Sequence, residues 1–272
     1  MEARKIAEKE FHDSIRMVAD DAHVADTRWT PELEETIGSN PMWTNMKYYA
    51  IERESRQAVL DWFQANTPGK KVLDLCCGNG DDSVLIAQYG AKEVLGLDIS
   101  DVSVENCQKL AKNNGVDGTA TFVVGDAENT GLPDNTFDII TEYGALHHID
   151  LDKCMAEMAR VMKPEGKMIC TEALAHNIPI HLYRRLTPKI RTEWEVDHIL
   201  RRPQFETMKK YFANVDMKFY HLFTLAAVPL RNTSLFEPVL SILEKLDHLV
   251  LRIPGIKWQA WQTVFVLSGP KK

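Results

Sequence analysis

Between residues 70 and 175, short apolar runs alternate with stretches of helical period. Runs at 72–75, 94–97, 121–124, 137–140 and 167–172 have strand length. Between them, 81–89 carries Val84, Leu85, Ile86 and Ala87 as a buried side, and 101–113 stops at Asn113-Asn114-Gly115. A further helix at 151–162 closes on the turn Lys163-Pro164-Glu165-Gly166. Strands separated by helices predict an α/β fold with a mostly parallel sheet covered on both faces.

The flanks are patterned differently. Ala3, Ile6, Ala7, Phe11, Ile15 and Val18 predict an amphipathic helix over 2–20, followed by a polar connection in which Thr30-Pro31-Glu32 is a helix start. An aromatic segment, Asn40-Pro41-Met42-Trp43-Thr44-Asn45-Met46-Lys47-Tyr48-Tyr49, leads into a helix at about 50–66. Beyond 175 the pattern predicts a helix at 203–212, a strand near 215–223 and a final antiparallel strand at 263–267. Apolar positions 235, 239, 242, 243, 246, 249, 250 and 253 form a helical stripe.

Charge sharpens the division. The 272 residues carry a net −7, but residues 1–172 hold 17 Lys+Arg against 31 Asp+Glu, whereas residues 173–272 hold 15 against 8. An acidic chain makes a poor general nucleic-acid binder, because phosphate neutralisation supplies most of that affinity. The basic C-terminal part suits an anionic acceptor or contact with a membrane surface, with solvated surface as the plain alternative. No apolar run is long enough for a transmembrane segment, and the N-terminus lacks the apolar core of a signal peptide. Cysteines at 76, 77, 107, 154 and 170 form no C-x-x-C pair, and no histidine stands at zinc-finger spacing. A cytoplasmic chain with reduced thiols and no metal site is the expectation.

The candidate chemistry lies in Lys71-Val72-Leu73-Asp74-Leu75-Cys76-Cys77-Gly78-Asn79-Gly80. A buried strand breaks here into a glycine turn and feeds a helix, leaving backbone N–H groups at a helix start where a ligand can sit. Asp74 at the strand end can hold a ligand's ammonium group directly or through water. Twenty residues after Gly78 the next strand ends in Asp98, an acid placed to bind two ribose hydroxyls. The layout is that of a nucleoside-binding domain. A dinucleotide site fits less well, since Ser83 stands where a third small glycine-like residue is wanted and an acid precedes the turn.

This stretch resembles motif I of the class I S-adenosylmethionine-dependent methyltransferases, L-D-[LIV]-G-C-G-x-G, with Cys76 in place of the first glycine. The same substitution occurs in the quinone C-methyltransferases, which the segment resembles. Gly125-Asp126-Ala127, then Leu132-Pro133 through Phe137-Asp138 (L-P-x-x-x-F-D-x-[VI]), then Ala145-Leu146-His147-His148 follow in the family's order. Glu165 departs from the usual K-P-G-G turn. The resemblance covers about residues 70–175. It implies a Rossmann-like seven-stranded sheet with an N-terminal lid (1–49), a cofactor-binding core (50–175) and a C-terminal part with cap insertions (176–272, the insertions at about 176–200 and 230–257). It implies S-adenosylmethionine as cofactor, leaving as S-adenosylhomocysteine. Carried over by motif, Asp74, Cys76, Gly78, Gly80, Asp98, Ile99, Asp126, Ala127 and Glu142 are the cofactor residues, with Ile99 against the adenine face.

The small-molecule branch is implied for the acceptor, since N-P-P-[YF] is absent after the fourth strand, where Glu142-Tyr143-Gly144-Ala145 stands. His147 is the candidate base for an O- or C-acceptor, with helix capping or pocket shaping as the plain alternative. Tyr143, His181, Arg184 and Arg185 are candidate acceptor residues, and Arg191 extends that group. The stripe at 235–253 has two plain readings, packing on the sheet's flank and a homodimer contact, and a sharper one, a wall that opens to admit a hydrophobic, lipid-like or quinone-like acceptor. A protein of this fold that binds adenosylmethionine or a partner without catalysis would keep the same motifs, so that reading stays open.

Overall fold

The computed structural model describes residues 2–16, 35, 41–187 and 192–272. Seven strands form one sheet: β1 Lys71–Leu75, β2 Glu93–Asp98, β3 Ala120–Val124, β4 Phe137–Tyr143, β5 Met162–Ala173, β6 Phe212–Tyr220 and β7 Gln262–Pro270. Their order is β3-β2-β1-β4-β5-β7-β6. β1 to β5 pair in parallel, and β7 runs antiparallel between β5 and β6. The order in which strands are added across the sheet reverses between β1 and β4, which stay parallel, so the loops leaving β1 to β4 open on one edge, the place where an open α/β sheet binds ligands. Register lines their tips up: Leu75 stands opposite Leu97 and Glu142, and Asp98 opposite Val124.

The helices are α1 Ala3–Arg16, α2 Arg53–Asn66, α3 Asp81–Gln88, α4 Asp101–Asn113, α5 Leu151–Val161, α6 Ile178–Leu186, α7 Glu193–His198, α8 Arg202–Tyr211 and α9 Phe236–Val250. Apolar side chains on the two faces of the sheet make two clusters, one around Leu73, Ile140, Met158 and Phe265, the other around Phe63, Val72, Ile86 and Leu110. A third, smaller cluster joins Ile51, Ile180, Phe236, Leu240 and Trp261. It seats α6 and α9 over the end of the sheet. No helix among the described residues is long and apolar enough to cross a membrane.

Four expectations are adjusted. The aromatic segment forms a 3-10 helix, Pro41–Ile51, ahead of α2. The Lys163–Gly166 stretch is not a separate turn: β5 begins at Met162, opposite Phe137, and passes through a register shift before Lys167 meets Ile139. No position of the 235–253 stripe is buried: Ile242 and Leu249 are each 66% exposed, and α9 instead turns Phe236, Leu240, Glu244 and Asp247 inward. The largest change is in α1. Its apolar Ile6 is 43% exposed, and the charged Lys5 and Glu8 are buried. The acids at the sheet's edge explain the inversion, because a buried carboxylate without a partner costs more than an exposed isoleucine gains. The connection at 27–31 lies outside the described residues.

Candidate cofactor cleft

Three consecutive turns build the floor of a cleft at the sheet's edge. After β1, the chain turns through Cys76, Gly78 and Gly80 with φ of 55°, 57° and 88°. Cys76 adopts the left-handed conformation that glycine takes at no steric cost, so the cysteine holds a strained backbone position. A Cβ on Gly80 would stand 2.9 Å from Cys107 Sγ, and one on Gly78 3.3 Å from Arg16 Nη2. At the tip of β2, Asp98 is buried and fixed on both oxygens: Gly78 N–H donates to Oδ2 and Ser100 N–H to Oδ1, each at 2.9 Å. After β3, Asp126 Oδ1 accepts from Glu128 N–H at 2.9 Å, which folds the turn tightly.

Helix α1 roofs this floor. Lys5 Nζ lies 2.6 Å from Asp126 Oδ2 and 2.7 Å from Glu128 Oε2. Burial lowers the proton affinity of Lys5, but the bonds to these two acids outweigh it and raise it. Arg4 also donates to Glu128, whose side chain is almost wholly enclosed. Arg16 Nη1 donates to Ser103 Oγ at 2.6 Å and stands 3.6 Å from Asp98 Oδ1. The cleft, about 650 Å³ with the solvent at its mouth included, is lined by Cys76, Asp98, Ile99, Asp126, Ala127 and Tyr143 from the predicted set. Arg4, Lys5, Glu8, His12, Arg16, Glu128 and His148 line it too.

A model of the family described as "Methyltransferase domain" matches residues 66–226, more than half of the chain. The chain belongs to this family. The ubiquinone/menaquinone biosynthesis C-methyltransferase UbiE of Pasteurella multocida is 36% identical over 143 residues, 52% of this chain and 53% of that one. The demethylmenaquinone methyltransferase of Symbiobacterium thermophilum is 35% identical over 109 residues, 39% of this chain and 43% of that one. The chain thus spans about half the length of these curated relatives. Among solved structures, the geranyl diphosphate C-methyltransferase of Streptomyces coelicolor superposes over 98% of both chains with a TM-score of 0.61. It is 11% identical, so the likeness is one of fold.

In this methyltransferase-domain chain the remaining predicted residues stand behind the cleft or away from it. Asp74 is buried and accepts from Ser83 Oγ at 2.6 Å, tying the strand end to α3. Burial and the charges of Asp82 and Asp98 push it up to about 8. Glu142 is buried and accepts from Ala145 N–H. Burial, then the like charge of Glu172, drives its carboxyl far above the usual range, so it is the protonated member of that pair. His147 Nδ1 lies 2.8 Å from Glu172 Oε2, both of them buried. Burial lowers the proton affinity of His147, but the Glu172 charge outweighs it, so this imidazole favours its charged form. His148, one residue on, is the member of this pair that lines the cleft.

His181, Arg184 and Arg185 lie on α6 and are not among the lining residues. Arg184 is buried, with Nη1 donating to the Leu174 carbonyl at 3.3 Å, whereas Arg185 faces solvent. Arg191 is outside the described residues. Sequence reading missed Glu52, whose carboxyl accepts from the Tyr143 hydroxyl. Burial pushes Glu52 up to about 7, against bonds from Tyr143 and Gln262 that pull it down. It also missed the whole lining face of α1. The available signal was charge at 4, 5, 8, 9, 12, 13 and 16, a polar stripe of helical period.

Proposed function

We propose that this chain transfers the methyl group of S-adenosylmethionine to an oxygen or carbon of a small, hydrophobic acceptor. The observation that carries the reading is the meeting of Asp98, Ile99, Asp126, Ala127 and Cys76 in one cleft at the switch point of the sheet. Asp98 would accept from both ribose hydroxyls, Ile99 would cover the adenine face, and Asp126 with the Ala127 backbone would meet the adenine amino group. Gly78 and Gly80 supply the positive φ of the turn after β1 and so would set the path of the loop that carries Cys76. Asp74, protonated while the ammonium group is absent, would release its proton when that cation arrives.

Bound adenosylmethionine supplies an activated methyl group on a cationic sulfur, which departs as neutral S-adenosylhomocysteine. The chain's part is to align the acceptor, exclude water and take its proton. Tyr143 lines the cleft and donates its hydroxyl to Glu52, a carboxyl poised near 7. We assign the proton to this pair: Tyr143 faces the acceptor and Glu52 holds the proton behind it. His147 would then neutralise the buried glutamates and not act as the base.

The hydrophobic acceptor is supported by the names of the relatives, which act in quinone biosynthesis. The C-terminal net positive charge suits an anionic group on the same molecule. The test is incubation with methyl-labelled adenosylmethionine and quinone-like phenols, followed by organic extraction. Label in the extract supports the reading. Binding of adenosylmethionine with no acceptor labelled in any class favours a non-catalytic binding protein.

A further inference from the structure

Outside the residues assigned to the cofactor, one cluster on the cleft wall is unexplained. Glu8, His12 and His148 each offer a ligand atom, and these atoms all lie within 4.8 Å of one another. Glu8 Oε2 is 2.9 Å from His148 Nδ1 and 3.8 Å from His12 Nε2. A hydrogen bond accounts for the first spacing. It does not account for the second, which is beyond bonding distance. A tetrahedral zinc ion at its usual distances would separate its ligand atoms by roughly 3.3 Å, between the two spacings.

We propose that Glu8, His12 and His148 bind a divalent transition-metal ion such as Zn2+, which clasps helix α1 to the loop after β4. Glu8 and His12 are four residues apart and share one face of α1. His148 comes from a different element, the 3-10 turn Leu146–His148, held by its N–H to the Ala145 carbonyl at 3.0 Å. The His148 carbonyl in turn accepts from Arg4 at 2.9 Å, so both elements are fixed before any ion arrives. Two imidazoles and one carboxylate suit Zn2+, Co2+ or Ni2+, and not Mg2+ or Ca2+, which prefer oxygen shells.

Nearby cations are offset by acids, beginning with His147, whose ring centroid lies 4.3 Å from that of His148 and which pairs with Glu172. Arg4 and Lys5 pair with Glu128, Lys9 with Asp101 and Asp13, and Arg16 with Asp98. All three ligands line the cleft, so a three-ligand site here keeps a position open to it, for water or an acceptor oxygen. The ion would hold the roof in place over the cofactor and offer the acceptor a point of attachment.

The test uses the full chain, stripped of metal and free of cofactor, titrated with Co2+ and followed by visible absorption and calorimetry. One equivalent should bind with the spectrum of a four-coordinate site. His12→Ala and His148→Ala should each weaken binding at least tenfold, with circular dichroism unchanged, while His248→Ala should bind as the wild type does. His12→Gln serves if an alanine variant fails to fold. Zn2+ should slow proteolysis of α1 in the wild type and not in His12→Gln. Wild-type binding no tighter than that of His12→Gln, or stoichiometric binding that survives both histidine changes, overturns the proposal. Since no adenosylmethionine is present, this outcome is separate from that of the methyl-transfer reading.

Discussion

Arg16, in the last turn of α1, stands 3.6 Å from the Asp98 carboxylate, the acid that the proposed ribose site depends on. The roof of the cleft therefore touches the residue that the cofactor would occupy. Roof and cofactor would share Asp98, so the position of α1 and the occupancy of the cleft would be linked.

The roof is held by ion pairs, and breaking one should loosen it. Lys5→Ala leaves Glu128, whose side chain is 1% exposed, with Arg4 and, at 3.9 Å, the half-exposed Lys153. A buried charge that loses a partner costs on the order of 1–3 kcal/mol. Limited proteolysis should cut α1 at least several-fold faster in this variant, with the core beyond residue 50 unaffected. Unchanged cleavage would mean that the roof is held by something other than its charged face.

Gly80→Ala should be among the most damaging single changes in the glycine turn. Its φ is 88°, and a Cβ there would stand 2.9 Å from Cys107 Sγ and 3.3 Å from the Cys107 backbone. Left-handed strain costs about 1–2 kcal/mol and overpacking about 1–3 kcal/mol more. The melting temperature should fall by roughly 5–15 °C. Gly69→Ala is the contrast, since nothing lies within 4 Å of a Cβ there and only the positive φ is unfavourable.

Glu52 gives a pH signature. Its folded value, about 7, lies above the ordinary 4.5, so the native state holds a proton that the unfolded chain releases between these values. Its contribution to stability is full below 4.5, declines as pH rises, and is gone above about 7. Glu52→Gln should remove that decline, gaining up to about 3 kcal/mol on the wild type between those limits. Denaturant unfolding at several pH values measures it. In the enzyme assay, kcat should rise through about pH 7 in the wild type, and the rise should vanish in Glu52→Gln.

His147→Ala should act first on stability. It strips the counter-charge from Glu172 beside the protonated Glu142, all inside the protein. Breaking a buried pair this way costs about 3–5 kcal/mol. His147 has a raised proton affinity, so its support is full below the ordinary 6.5 and is lost as pH rises through its folded value. Glu172→Gln in the same chain should restore much of the loss. A large fall in kcat with stability intact would instead make His147 the base.

The core of the fold was legible because its signals are local. The strand at 72–75, the glycine turn and Asp98 at the tip of β2 depend on period and spacing, and both are printed in the chain. The roof was not legible in the same way. Ile6 and Ala7 invite burial by pattern, yet Lys5 and Glu8 are turned inward by Asp126, Glu128 and His148, more than a hundred residues away. Likewise His147 and His148 are neighbours in a motif. Which one meets the cleft is set by a 3-10 turn and by Glu172 at the end of β5.

The most direct measurement is calorimetric titration of adenosylmethionine into the wild type and Asp98→Ala. The carboxylate would accept two charge-assisted hydrogen bonds from the ribose, each worth about 1.5–3 kcal/mol. The account predicts one-to-one binding by the wild type and at least a hundredfold weakening in the variant, with the fold retained by circular dichroism. Equal affinity in the two proteins, or no binding to the wild type, would contradict it.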